Sequence, residues 1–114
     1  MISIYHNPRC SKSRQALALL ESSNVPLNIV LYLDIPPSFE DLEGILRKLG
    51  ITARELLRKT ESAYKENQLS DTLKTESQLI EAMVSYPKLI ERPIVINGNQ
   101  AVIGRPPELV LEII

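Results

Sequence analysis

The chain has 114 residues, 44% of them hydrophobic, 24% charged and 4% aromatic, with a net charge of −1. That length suits one folding domain with a single core, and the composition is that of an ordinary soluble globular protein. A near-neutral chain without tryptophan lacks the basic field and stacking surfaces that nucleic acid needs, and no apolar run reaches the roughly 18 residues of a membrane span.

Ile2 and Ile4 alternate with Ser3 and Tyr5 as a short strand does, and Asn7-Pro8 breaks it. From Ser11 to Ser22, Ala16, Leu17, Leu19 and Leu20 predict a one-sided helix that stops near Asn24. Residues 27 to 33 predict a second apolar strand, so that strand, helix and strand make a parallel, right-handed βαβ unit. Asp34-Ile35-Pro36-Pro37 ends it. Ser38 with Asp41 three residues on caps a helix carrying Leu42, Ile45, Leu46 and Leu49, and Gly50 closes that helix.

Thr52 opens a short helix with Ala53, Leu56 and Leu57 on one side. The polar residues 61 to 71 read as a short helix or loop whose only large anchors are Tyr64 and Leu69. Thr75 and Gln78 form a capping-box pattern before Leu79, Ile80, Met83 and Val84, and Pro87 ends this helix near Tyr86. Pro93-Ile94-Val95-Ile96 is an apolar strand, Asn97-Gly98 a hairpin turn, and Ala101-Val102-Ile103 the return strand. A terminal helix is expected from about Pro107 to Ile114. The order predicts an α/β fold with a four-stranded mixed sheet, a helical insertion between residues 38 and 87, and no linker or repeat to divide residues 1 to 114 into domains.

Cys10, the single cysteine, stands where the first strand turns into the first helix. Unpaired backbone N–H groups and the positive end of the helix dipole favour an anion there, and Arg9, Lys12 and Arg14 add positive charge, so a reactive thiolate is expected. Ser13 occupies the place of the second thiol in a Cys-x-x-Cys pair. An oxidised Cys10 therefore needs an external thiol to resolve it. His6 reads either as a proton or charge partner of the thiolate or as a packed strand-end imidazole. Asn7 and Ser13 read as hydrogen-bond donors to the sulfur or as plain turn and cap residues. With one histidine, one cysteine and no paired carboxylate spacing, no metal site is expected.

Arg9, Arg14, Arg58, Arg92 and Arg105 each stand at or near the end of an element, whereas Arg47 and Arg54 lie among other helix residues. A guanidinium presents a planar fork of donors that matches tetrahedral oxyanions. Arg92 and Arg105 bracket the hairpin, and an antiparallel pair brings those two positions to the same end of the sheet.

The strand, loop and helix entry are similar to the thioredoxin-like arrangement. More narrowly, Tyr5-His6-Asn7-Pro8-Arg9-Cys10-Ser11-Lys12-Ser13-Arg14 resembles the active-site loop of the glutaredoxin-linked arsenate reductases. Leu56-Leu57-Arg58-Lys59, Glu91-Arg92-Pro93-Ile94-Val95 and Gly104-Arg105-Pro106-Pro107-Glu108 are similar to that family's oxyanion-binding segments, and the match runs in order over the whole chain. The resemblance implies Cys10 as nucleophile with His6 helping to hold the thiolate, and Arg58, Arg92 and Arg105 around the oxyanion. It also implies a cis peptide at Pro93, arsenate as substrate, glutathione as reductant with glutaredoxin as partner, and no bound cofactor. The chain looks like a short branch without the longer C-terminal tail, and the absence of a leader pattern points to the cytoplasm. A glutathione-linked reductase of another substrate is an alternative. So is a non-catalytic regulator that binds a protein such as RNA polymerase, although that related branch uses the Cys-x-x-Cys switch that Ser13 denies here.

Overall fold

A computed structural model describes all residues, Met1–Ile114, and they fall into two compact units. One comprises Met1–Ile35 with Arg92–Ile114, the other Pro36–Glu91. No helix is long and apolar enough to cross a membrane.

The first unit holds β1 (Ile2–Tyr5), α1 (Ser11–Ser22), β2 (Leu27–Val30), β3 (Ile94–Asn97), β4 (Gln100–Ile103) and a C-terminal 3-10 helix, Pro107–Ile113. The sheet order is β2-β1-β3-β4. β1 runs parallel to β2 and antiparallel to β3, and β3 is antiparallel to β4, which gives the expected mixed four-stranded α/β sheet. Alternation sends Ile2 and Ile4 to one face, where they pack with Ala16, Leu20, Val95, Val110 and Ile113. Each buried isoleucine, leucine or valine of this cluster contributes on the order of 2 kcal/mol.

Three details of this unit differ from the sequence reading. β2 ends at Val30 rather than running to residue 33, because the N–H groups of Asp34 and Ile35 both turn back to the Leu31 carbonyl, at 3.0 Å each. Tyr32 is fully buried in that turn and stacks obliquely on Tyr5, with ring centroids 6.5 Å apart. In the hairpin, Asn97 pairs with Gln100, so Gly98-Asn99 and not Asn97-Gly98 form the two-residue loop. Gly98 takes the positive φ of +61° that a glycine-first hairpin turn requires. The C-terminal segment is a 3-10 helix rather than an α-helix, with Pro107, Val110 and Ile113 buried. That spacing of three places all of them on one edge only at three residues per turn.

The second unit holds α2 (Phe39–Leu49), α3 (Ala53–Leu56), α4 (Ser62–Glu66), α5 (Glu76–Ser85) and a 3-10 turn at Pro87–Leu89 that the sequence did not announce. Capping boxes at Ser38/Asp41, Thr52/Glu55 and Thr75/Gln78 start three of the helices. Gly50 closes α2 at φ +70°. Leu57 lies outside α3 in extended conformation and bridges Ile90. Around that bridge the Arg58 N–H donates to the Leu89 carbonyl at 2.8 Å and the Glu91 N–H to the Leu56 carbonyl at 3.0 Å. The Arg54 guanidinium ties down the polar stretch after α4, donating to the carbonyls of Leu69 at 2.8 Å and Asp71 at 3.1 Å.

Candidate active site

Cys10 is the N-cap of α1, with extended backbone at φ −94° and ψ 122°. The loop before it closes through the Cys10 N–H to the Asn7 carbonyl at 3.0 Å, and α1 begins with the Arg14 N–H on the Cys10 carbonyl at 3.0 Å. A serine or aspartate in this place would accept from the N–H groups of the first turn. Here the cap side chain is a thiol that makes no capping hydrogen bond, and the Lys12 and Ser13 N–H groups act on it by favouring its charged form. No acidic residue stands in the first turn to compete for them.

The sulfur is half-buried, and that burial by itself raises the thiol pKa. The Ser13 N–H, the Arg92 guanidinium and the Lys12 N–H stabilise the charged form more strongly, and the net result is a pKa below the ordinary 9.0. Arg105 Nη2 stands 3.4 Å from the sulfur while its Nε donates to the Arg92 carbonyl at 2.7 Å. A single guanidinium thus faces the thiol and braces the neighbouring arginine's backbone. The Arg92–Pro93 and Arg105–Pro106 peptide bonds are both cis. Gly104 lies against Pro93, Val110 and Ala16, and a Cβ built there would fall 2.8 Å from Pro93 Cγ.

His6, Asn7 and Ser13 are buried beneath this loop. His6 Nδ1 lies 2.6 Å from Ser13 Oγ, and Ser13 Oγ also accepts the Asn7 N–H at 3.0 Å. The sequence left two readings open for Ser13, donor to the sulfur or plain turn and cap residue; the hydroxyl turns inward to His6, while the Ser13 backbone N–H lowers the pKa of the thiol. The Asn7 side chain likewise faces its own loop, with Oδ1 accepting the Arg9 N–H at 3.0 Å. Arg14 Nη1 donates to the Pro8 carbonyl at 2.9 Å and braces the loop from outside. Burial and the Arg14 charge lower the His6 pKa against a smaller opposing pull from Glu21, so the imidazole is neutral at pH 7.

Arg58 belongs to the second unit. Its Nη1 pairs with Glu91 Oε1 at 2.7 Å and its Nε faces Glu61 Oε1 at 3.5 Å. The Glu91 pairing depends on the Leu57–Ile90 bridge between segments more than thirty residues apart and is not legible locally, whereas Glu61 lies three residues on from Arg58. No group of three or more His, Cys, Asp or Glu side chains is placed to hold a metal ion.

A mixed four-stranded sheet whose first helix is capped by one activated cysteine, with two arginines beside the sulfur, defines a thioredoxin-like α/β thiol protein. The ArsC family model matches residues 5–113, and the chain belongs to that family. It is 53% identical over 99% of its length to an uncharacterized Escherichia coli protein, YfgD, covering 96% of that protein. It is 47% identical to an arsenate reductase of Haemophilus influenzae, with 99% of this chain and 98% of that protein covered. Among solved structures, an arsenate reductase from Vibrio cholerae superposes with a TM-score of 0.96 at 47% identity, covering 99% of this chain and 97% of that one.

Proposed function

We propose that this chain is a cytoplasmic arsenate reductase that uses glutathione and glutaredoxin, with Cys10 as nucleophile. The observation that carries the reading is the half-buried Cys10 sulfur at the mouth of α1, 3.4 Å from Arg105 Nη2, with a pKa lowered by the Ser13 N–H and the Arg92 guanidinium against the opposing effect of burial. The family membership supports the same chemistry.

In the proposed cycle the Cys10 thiolate attacks the arsenic of arsenate. A sulfur–arsenic bond forms and one oxygen leaves as water. Arg92 and Arg105 offset the negative charge of the oxyanion and of the transition state, which their fixed positions allow without reorganisation. Arg58 enters this proposal through the resemblance of its segment, with Glu91 and Glu61 as the carboxylates that balance its charge beforehand.

A glutathione thiol then displaces a second oxygen as water. The glutaredoxin thiolate attacks the glutathione sulfur, the sulfur–arsenic electron pair passes to arsenic, and arsenic(V) becomes arsenic(III). Water releases arsenite from Cys10, whose thiolate returns. No second cysteine exists to form an internal disulfide, so the external thiols supply both electrons.

The deciding experiment is arsenite production from arsenate with glutathione and glutaredoxin present. The wild-type chain is expected to turn over and Cys10→Ser to show no activity above background. Equal rates for the two would end the mechanism, and inactivity of the wild type on arsenate would end the substrate assignment.

A further inference from the structure

Arg58 and Glu91 meet because of register. Leu57 and Ile90 bridge in antiparallel fashion with both side chains buried, so their chain neighbours Arg58 and Glu91 project to the other side of the bridge. The backbone fixes both positions, through the Arg58 N–H on the Leu89 carbonyl at 2.8 Å and the Glu91 N–H on the Leu56 carbonyl at 3.0 Å. A carboxylate held in this way is an intramolecular anion. Its effective concentration at the guanidinium is on the order of millimolar or more, and an external anion has to compete with it.

The contact is a strong one. Arg58 Nη1 lies 2.7 Å from Glu91 Oε1, and the two side chains are only 18% and 26% exposed. Glu61 brings a second carboxylate to 3.5 Å from Nε. Two carboxylates around one guanidinium leave the group formally negative, which opposes the approach of an oxyanion. Yet the buried Nε–H makes no hydrogen bond. A guanidinium takes an oxyanion through two parallel N–H donors, and here one donor is occupied by Glu91 while another stands unfilled. A buried donor without an acceptor is a feature that a purely structural ion pair does not account for.

We propose that Glu91 sets the oxyanion affinity of Arg58: its carboxylate fills the place that an external oxyanion takes, and binding exchanges one for the other. An anion with two oxygens to offer gains the Nε–H as well as Nη1, which the single Glu91 oxygen at Nη1 does not provide. The inference rests on Arg58 being an oxyanion ligand, as proposed above, but not on arsenate being the substrate.

The test is protection of Cys10 from alkylation by iodoacetamide, titrated with inorganic phosphate and with arsenate at fixed pH and ionic strength. Full-length wild type, Glu91→Gln, Glu61→Gln, Arg58→Gln and the Arg58→Gln/Glu91→Gln double variant are compared, with the thermal midpoint of each recorded. Glu91→Gln replaces a charge-assisted bond by a neutral one about half as strong, so half-protection is expected at about tenfold lower anion concentration. Glu61→Gln is expected to give a smaller gain, since its carboxylate stands farther off at 3.5 Å. Arg58→Gln is expected to weaken protection, and Glu91→Gln added to it to change nothing further. Unchanged or weaker protection in Glu91→Gln overturns the inference, as does absence of protection in both wild type and Glu91→Gln. A double variant that gains over Arg58→Gln as much as Glu91→Gln gains over wild type reveals a diffuse field effect and overturns it too. Wild-type protection in Arg58→Gln removes Arg58 from the oxyanion site and this inference with it, while the Cys10 chemistry stands. Should Glu91→Gln fail to fold, Glu91→Met removes the charge at similar length and takes its place in both backgrounds. Turnover plays no part here, so a chain whose phosphate protection behaves as expected but which reduces no arsenate loses the substrate assignment and keeps this inference.

Discussion

Cys10 replaces the usual oxygen of a helix cap with sulfur, and the exchange explains its chemistry. Donors that would otherwise be quenched by a hydroxyl or carboxylate are left for a thiolate. Since the folded pKa lies below 9.0, the thiolate persists under mildly alkaline conditions and is lost only as pH falls through that lowered value. An alkylation profile midway at or above 9.0 would contradict this. Arg105 meets two demands at once, with Nη2 3.4 Å from the sulfur and Nε 2.7 Å from the Arg92 carbonyl. Lysine keeps the charge but cannot span both positions. Arg105→Lys is therefore expected to weaken oxyanion protection of Cys10 from alkylation by roughly tenfold, the usual consequence of losing one charge-assisted hydrogen bond. Protection equal to wild type would assign Arg105 a purely coulombic role.

At the level of elements, the two units are started in different ways. α2, α3 and α5 each begin with a reciprocal capping box, whereas α1 begins on the cysteine. Ser38→Ala removes the acceptor of the Asp41 N–H at 3.1 Å and is expected to cost about 1 kcal/mol in urea unfolding without altering Cys10 reactivity. Gly104→Ala has the opposite character. The added methyl meets Pro93 Cγ at 2.8 Å and Val110 Cγ1 at 3.1 Å, so the loop bearing Arg92 and Arg105 must shift. Overpacking of this kind costs about 1–3 kcal/mol, and here it should also slow alkylation of Cys10. The capping boxes were legible in the sequence because their partners lie three residues apart. The close approach at Gly104 was not, since Ala16, Pro93 and Val110 reach it from three separate segments.

For the whole molecule, the buried histidine links stability to acid. Its folded pKa lies below the ordinary imidazole value of 6.5 while the unfolded chain keeps that value, so protons bind preferentially to the unfolded state. The contribution of neutral His6 is complete above pH 6.5 and is lost as pH falls through the lowered folded value. Wild type and His6→Asn should therefore show parallel urea midpoints above pH 7 and diverge below 6.5, with wild type losing more. Parallel midpoints down to pH 5 would mean that His6 titrates normally.

Local pattern alone determined the alternation of β1, the helix starts, the place of Cys10 at the mouth of α1 and the neighbourhood of Arg92 and Arg105 at one end of the hairpin. Each follows from interactions within a few residues or across one tight turn. Tertiary structure decided the rest: the short β2 curled over Tyr32, the three-residue period at the C-terminus, the Glu91 partner of Arg58, and the inward turn of the Ser13 hydroxyl. Those outcomes depend on which side chains packing brings together across long stretches of chain. A contact between residues 10 and 105 carries no trace in either local segment.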